Sequence, residues 1–377
     1  MKTHVLHICN DFLNSKVHAN LYAALDFKGL KQTIFVPFRK GQEDRINKFE
    51  FSNIESSIAY SSELQEYYRA FFYKKIDLLY NDAVCAIKIS NPDIAHATTL
   101  FSDGAVAYKL YQKYNIPYVV TVRNTDLNLF FKYMVHLRPL GLNILSNAKR
   151  IIFISPAYRR RIFEFSYIQP YITELEAKSV VVPNGIDPFW IEHVQHKKRV
   201  IGSHPNILYV GNFTRGKNVV NLVRAIDMLN KNSAIFNLNL VGSGGNGFKS
   251  VMKLVRGKKY INYWGKIADK NLLKQVFVDN DIFAMPSHHE TFGLTYIEAM
   301  SQGLPILYTK GEGVDGFYTH SIGEAVDSRN VKEITSGINK IFKNYNYYDF
   351  DPKEIVKNHD WNKIAEIYMR IYQSERV

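Results

Sequence analysis

Cysteine is nearly absent: Cys9 and Cys85 are the only two in 377 residues. Two are too few for a disulfide framework, and they lack the spacing of a metal-ligand set, so a reducing compartment is expected and no zinc site is. Long apolar runs are missing as well. With no stretch of eighteen apolar residues, nothing is expected to span a membrane. The opening MKTHVLHICNDFLN has one lysine and an apolar run broken by His4, His7 and Asp11, which suits a first strand and not a signal peptide. Acids are missing from one long region. Between Leu127 and Phe163 there is no Asp or Glu, while Lys132, Arg138, Lys149, Arg150, Arg159, Arg160 and Arg161 all occur.

The length allows two domains of ordinary size, and 46% hydrophobic residues suit globular cores. The formal net charge of +13 calls for an anionic partner: lipid, nucleic acid or a phosphorylated substrate. In the acid-free region, Leu127, Leu129, Phe130, Phe131, Tyr133, Met134, Leu137 and Leu140 interleave with the basic residues. That pattern predicts an interfacial helix on a membrane more than a reader of nucleic acid, with a plain basic surface as the alternative. A second aromatic cluster, from Tyr60 to Tyr80, is flanked by Lys74 and Lys75 and fits a packed helix or a membrane-facing one.

Short apolar runs alternate with helical patterns, predicting parallel sheets with helices on both faces. Strands are expected at Val5 to Cys9, Thr33 to Pro37, Asp93 to Ala97, Pro117 to Val122, Arg150 to Ile154 and Ser179 to Val182. A turn at Pro183 to Asp187 closes this half, and the polar stretch from Glu192 to Pro205 reads as a linker. The rhythm restarts with strands at Ile207 to Val210, Phe236 to Val241, Tyr260 to Trp264, Asp281 to Met285 and Pro305 to Tyr308. Last, Trp361, Ile364, Ile367, Tyr368 and Ile371 share one face of a terminal helix.

The stretch richest in chemistry runs from Asp281 to Pro305, DIFAMPSHHETFGLTYIEAMSQGLP. A buried strand leads into a loop through Phe292 and Gly293 and then into a short helix, so Glu290 and Glu298 can look into one crevice at the strand's carboxyl end, where open parallel sheets bind ligands. Thr295 and Glu298 also spell a capping box, which would give Glu298 a purely structural task. Earlier, ILYVGNFTRGKN places a glycine loop with Lys217 before a helix, an arrangement that gathers N–H groups and charge around phosphate. LVGSGGNG satisfies G-x-G-x-x-G at Gly242, Gly244 and Gly247. A nicotinamide site would need an acid closing the next strand; Trp264-Gly265-Lys266 supplies none, and Asp269 comes too late.

The Glu-x7-Glu spacing, together with E-x-F-G-L and E-A-M-x-x-G-x-P, resembles the signature of family 4 retaining glycosyltransferases (glycosyl transferases group 1), which have the GT-B fold. The resemblance covers nearly the whole chain, strongly from Pro205 to Pro305 and loosely before it. It implies an α/β protein of two Rossmann-like domains facing each other across a cleft, the last helix crossing back to the first. The acceptor domain would take residues 1–195 and 355–377, and the nucleotide-sugar domain 196–354. The family's glycine-arginine…lysine pattern, which clasps the donor diphosphate, matches at Gly211 and Lys217; Asn212 stands at the arginine position, with Arg215 a substitute from the same loop. By the same resemblance Gly242 lines the nucleotide cleft and the backbone near Ile267 receives the base. Glu290 would hold sugar hydroxyls, Glu298 the ribose, and Lys217 with the helix start at Phe292, Gly293 and Leu294 would meet the departing diphosphate.

In the first half, DIAHATTLFSDGAVAYKL resembles the family's strand with histidine and its D-G-x-x-A helix start, and VVPNGID its hinge-proximal segment. The usual catalytic-site histidine follows the strand that here reads VVTVRNTD, so Arg123 holds its position and His96 is the other candidate. The family's glycine-rich loop after the first strand is replaced by NDFLNSKVHAN. The implied chemistry is metal-independent retaining transfer without a cofactor. A lipid-linked glycan acceptor of bacterial-type surface polysaccharide synthesis is expected, with the enzyme cytoplasmic and peripheral at the inner membrane face and no nucleic-acid partner. The rival reading is a non-catalytic module of the same fold that docks a membrane. Arg123 and Asn212 favour it; both acids and Lys217 oppose it.

Overall fold

The computed structural model describes residues 3–43, 47–195, 199–231 and 236–375, so part of the expected linker lies outside the described residues. The chain divides into two compact units. The first comprises 1–154, 158–185 and 361–377, the second 155–157 and 186–360; the divisions fall at 185/186 and 360/361, against expected bounds of 195/196 and 354/355.

The first unit holds a seven-stranded sheet of order β3-β2-β1-β4-β5-β6-β7. Its strands are β1 (His4–Ile8), β2 (Lys31–Val36), β3 (Ser57–Tyr60), β4 (Ile94–Ala97), β5 (Tyr118–Val122), β6 (Arg150–Phe153) and β7 (Ser179–Val181). Every pairing is parallel. Helices cover both faces of a parallel sheet, and the central strands β1, β4 and β5 are accordingly buried along their whole length. The second unit's sheet has six strands, β8 (Asn206–Val210), β9 (Asn237–Val241), β10 (Ile261–Gly265), β11 (Ile282–Ala284), β12 (Ile306–Thr309) and β13 (Gly323–Val326), in the order β10-β9-β8-β11-β12-β13 and again all parallel. All eleven expected strands are present within a residue or two. The edge strands β3 and β13 were not foreseen: they are four residues long and mostly half-exposed, so no apolar run marks them.

The terminal helix Trp361–Ser374 belongs to the first unit and packs on the helix Lys16–Phe27. Its Trp361, Ile364, Tyr368, Ile371 and Tyr372 enter one core cluster with Leu21, Tyr22 and Leu25. Ion pairs Lys28–Glu366 at 2.7 Å and Arg150–Glu375 at 2.6 Å flank the contact.

The acid-free region is not one interfacial helix. It forms a π-turn at Asp126–Phe131, a 3-10 turn at Val135–Leu137, a helix at Arg138–Asn147, then β6 and a helix at Pro156–Phe163. Pro139 and Pro156 each sit in a helical first turn, where a proline starts a new helix better than it continues an old one. At least four of the seven basic side chains have partners within the unit. Arg138 donates to the Phe131 carbonyl and Arg161 to Asn128; Arg150 pairs with Glu375 and Arg159 with Glu176.

Candidate functional site

In the second unit β8 lies between β9 and β11, so the winding of the sheet reverses there and the carboxyl ends of β8 and β11 flank a crevice. One loop leaves each strand. The first runs from Gly211 into the 3-10 turn Arg215–Lys217, with Thr214 capping the turn and accepting from the Lys217 N–H. The second carries His288, His289 and Glu290. A backbone bond from His288 to the Gly216 carbonyl, 2.8 Å, ties the loops together. Across that tie the Lys217 Nζ donates to Glu290 Oε2 at 2.5 Å, with the Met285 sulfur at 3.9 Å.

Glu290 is 8% exposed and fixed on its backbone as well as its side chain. Its N–H donates to Glu312 Oε2 at 3.0 Å, and its carbonyl accepts from Gly313 at 2.8 Å. Glu312, buried after β12, also faces His289 Nδ1 at 3.4 Å. Sequence reading missed Glu312; the signal was a carboxylate inside the glycine loop GEGVDG just past a strand.

Gly211 and Gly242 end β8 and β9 side by side. Gly211 donates to the Val241 carbonyl at 2.9 Å and Gly242 to the Gly265 carbonyl at 2.7 Å, so three strand ends are stitched in series. A Cβ on Gly242 would lie 2.0 Å from the Gly211 oxygen, which is why this position takes glycine. The glycine turn then folds onto the Lys217 loop: Phe213 donates to the Gly244 carbonyl, Gly247 to the Phe213 carbonyl, and the Arg215 N–H to Asn246. Asn212 and Arg215 are exposed on that loop, and Ile267 is half-buried just past β10.

The helix Leu294–Ser301 begins at Gly293, whose φ of +80° and whose closeness to the Tyr296 ring, 2.3 Å from an added Cβ, both demand glycine. Phe292 is buried before it, and Leu294 is half-buried. Because the helix starts at Gly293, Thr295 is already inside it and no side chain caps the start; the capping box is not formed. Glu298 instead faces Trp190, Asp187 and Lys270. Burial first, then Asp187, pushes its carboxyl up to about 7, while Lys270 and a hydrogen bond from the Trp190 side chain act the other way. Among the described residues no three His, Cys, Asp or Glu side chains gather as a metal site would require.

In the first unit β1 sits between β2 and β4 and marks the corresponding reversal. His96 is not on a crevice: its Nε2 bonds Thr121 Oγ1 at 2.9 Å and its Nδ1 the Tyr372 hydroxyl at 2.8 Å, and Tyr368, Tyr372 and His7 surround the ring. Burial lowers its pKa to about 3. His96 is thus a core residue joining the sheet to the terminal helix, and the expectation of a catalytic role is corrected. Arg123 does lie at the carboxyl end of β5, half-buried, with Nε donating to the Thr98 carbonyl at 2.9 Å and its N–H to Asp126. Beside it, Asp103 gathers Asn10, Thr98 and Thr99 at 2.8 to 3.1 Å, and burial raises its carboxyl to about 6. Asn10 and Asp103 were not among the expected site residues; D-G at the helix start was the visible signal.

Residues 192–363 match the family model described as Glycosyl transferases group 1, and residues 16–189 the one described as Glycosyltransferase Family 4. Between them the two models cover most of the chain, which resembles the group 1 glycosyltransferases in its second half and family 4 glycosyltransferases in its first. An uncharacterised glycosyltransferase of Methanocaldococcus jannaschii is 25% identical over 52% of the chain and 54% of its own length. The alpha-monoglucosyldiacylglycerol synthase of Acholeplasma laidlawii is 27% identical over 60% of each, so the chain spans little more than half of either relative. Among solved structures, the sucrose-phosphate synthase of Thermosynechococcus elongatus superposes with a TM-score of 0.74 at 18% identity, covering 99% of both chains. Anabaena HepE in complex with UDP-glucose gives 0.65 at 14% identity, covering 98% and 99%. These likenesses confirm the GT-B architecture of two parallel-sheet domains. No described helix is long and apolar enough to cross a membrane.

Proposed function

We propose that the chain is a metal-independent retaining glycosyltransferase that moves a sugar from a nucleoside diphosphate sugar to a lipid-linked glycan in surface polysaccharide assembly, working at the inner face of a membrane. The observation carrying the proposal is the Lys217–Glu290 pair, held at 2.5 Å where the winding of the second sheet reverses.

Departure of a nucleoside diphosphate places negative charge on phosphate oxygens while positive charge grows at the sugar's anomeric carbon, and groups fixed beforehand stabilise both best. Lys217 supplies a full charge to the phosphate, and the unpaired N–H groups at the start of the helix Leu294–Ser301 add partial ones. Glu290 accepts from sugar hydroxyls, and its backbone, fixed by Glu312 and Gly313, keeps the carboxylate from following the lysine when phosphate competes for it. Glu298 accepts from the ribose hydroxyl pair. The glycine turn at Gly242 and the backbone near Ile267 bound the nucleotide. Asn212 donates one amide where the family has an arginine, and Arg215 restores the charge. Arg123 lies on the acceptor side.

The deciding test is incubation of the purified protein with a panel of sugar nucleotides, reading nucleoside diphosphate release with and without EDTA and the anomeric configuration of the product by proton NMR. Release that survives EDTA with retained configuration supports the proposal. Inertness toward every donor favours the non-catalytic membrane module, for which Arg123 and Asn212 speak. The lipid-linked acceptor draws support from the basic charge and from the lipid product named for the Acholeplasma relative.

A further inference from the structure

Two segments of the first unit leave carboxyl ends of parallel strands on the same edge of the sheet: residues 61–75 after β3, and 123–137 after β5. They meet where the Phe72 ring packs edge-on against Phe130, centroids 5.8 Å apart, and Phe130 stacks in turn on Phe101 at 4.6 Å. The two segments joined there carry six large apolar side chains that stay exposed. Tyr67, Phe71, Tyr73, Leu129, Tyr133 and Val135 are each between 41% and 66% exposed. Elsewhere in the unit exposed apolar side chains such as Phe27, Ile54 and Ile89 are isolated in the sequence, which is ordinary; a cluster built by two segments is not.

The cluster is also charged in one sense. Residues 67–75 and 127–137 contain Arg69, Lys74, Lys75 and Lys132 and no Asp or Glu; of the acids at their borders, Glu66, Asp77 and Asp126, Asp77 is paired with Lys109 and Asp126 is buried. Lys74 lies 5.2 Å over the Phe71 ring and Lys132 5.1 Å over Tyr133; Lys75 turns inward to Ser102. Tyrosine and phenylalanine rings interleaved with cations match the boundary between headgroup and acyl chain, where rings are half-immersed and cations meet phosphate.

We infer that this aromatic crown is the surface by which the protein lies on an anionic lipid bilayer, Tyr67, Phe71, Tyr73 and Tyr133 entering at headgroup level and Arg69, Lys74 and Lys132 contacting lipid phosphates. The inference deepens the proposed function and rests on it for the meaning of the contact: Arg123, in the segment that carries half of the crown, sits at the same sheet edge, so a lipid-linked acceptor would be delivered beside it. Adsorption itself needs no sugar donor. It also moves the membrane contact away from Arg159 and Arg161, which are engaged within the unit.

Vesicle sedimentation tests it, using phosphatidylcholine with one quarter phosphatidylglycerol against phosphatidylcholine alone. Wild type should pellet with the anionic vesicles at low salt and be released by high salt. The triple variant Tyr67→Ser, Phe71→Ser, Tyr73→Ser should lose partitioning by about ten-fold or more, and so should Lys74→Glu with Lys132→Glu. The control Ile54→Ser with Ile89→Ser should bind as wild type. In Tyr73→Trp the added indole should shift its emission to the blue on adding anionic vesicles, and in Ile89→Trp it should not. No low-salt binding, equal binding to neutral vesicles, an unmoved Tyr73→Trp spectrum or equal loss in the Ile54/Ile89 control overturns the inference. Nucleoside diphosphate release from soluble donor, unchanged in the ring variants, separates this outcome from failure of the catalytic reading.

Discussion

Lys217 and Glu290 lie 73 positions apart, and both were legible mainly through the family resemblance of their two loops; the fold then joins them because the loops leave the carboxyl ends of neighbouring parallel strands. Lys217→Ala should lower kcat/KM by about 10²-fold or more, the usual cost of losing a charge that faces a developing anion, with far-UV circular dichroism unchanged; intact turnover would exclude the phosphate role. Glu298 gives a sharper discrimination, because its stability and functional effects have opposite signs. The folded carboxyl holds its proton up to about pH 7, whereas the unfolded one releases it near its ordinary value of about 4.3. Folding therefore binds a proton between those values, and stability falls as pH rises through the window. Glu298→Gln, free of that cost, should melt higher than wild type at pH 8 and show little gain at pH 5, while calorimetric titration shows weaker binding of nucleoside diphosphate. A substitution that stabilises the fold and impairs the ligand marks a residue kept for function. A lowered melting temperature at pH 8 with unchanged affinity would return Glu298 to a structural task. His96 was misread because its decisive partner, Tyr372, lies 276 positions away, and no local pattern around a buried histidine reports that.

Strands buried along their whole length were readable; of those at the sheet edges, β7 and β10 were readable and β3 and β13 were not. β1 and β5 are buried at every position, whereas β3 and β13 pair on one side only and carry Ser57, Gly323 and Glu324. The acid-free region shows a related failure: interleaved apolar and basic residues fit a single amphipathic helix until prolines and a buried strand divide them, and arginines that look free on paper find carbonyl and carboxylate partners. The histidines on and beside β1 and β4 carry the element-scale prediction. His7, His18 and His96 all have their pKa lowered by burial, while in the unfolded chain they take protons near pH 6.5. Their contribution to stability is therefore fully present above that value and is lost progressively as pH falls below it. The melting temperature should drop steeply between pH 6.5 and 5, and His7→Leu should flatten the slope; an unchanged slope would mean that the ring is hydrated in solution. Tyr372→Phe removes the bond to His96 Nδ1 inside the core and should cost about 1–3 kcal/mol without altering donor turnover per folded molecule.

At the scale of the whole chain, the two units differ in how they are assembled. Apart from residues 155–157, the second is one continuous piece, 186–360, and contains Lys217, Glu290, Glu298, Glu312 and the glycine turn. The first is completed only by the last seventeen residues. Trp361, Ile364, Tyr368, Ile371 and Tyr372 are buried against its helix Lys16–Phe27 and sheet. At about 1.5–3 kcal/mol for each large side chain, their burial amounts to on the order of 10 kcal/mol, as much as a typical domain's entire net stability. A fragment of residues 1–185 should therefore lack a cooperative urea transition, and a synthetic peptide covering 358–377 should restore one. The fragment 186–360, losing only residues 155–157 of its unit, should unfold cooperatively and bind nucleoside diphosphate with the Lys217 dependence of the full chain. If 1–185 folds alone with a cooperative transition, the terminal helix is an accessory to the first unit and not part of its core, and the stabilising role of the His96–Tyr372 bond falls with it.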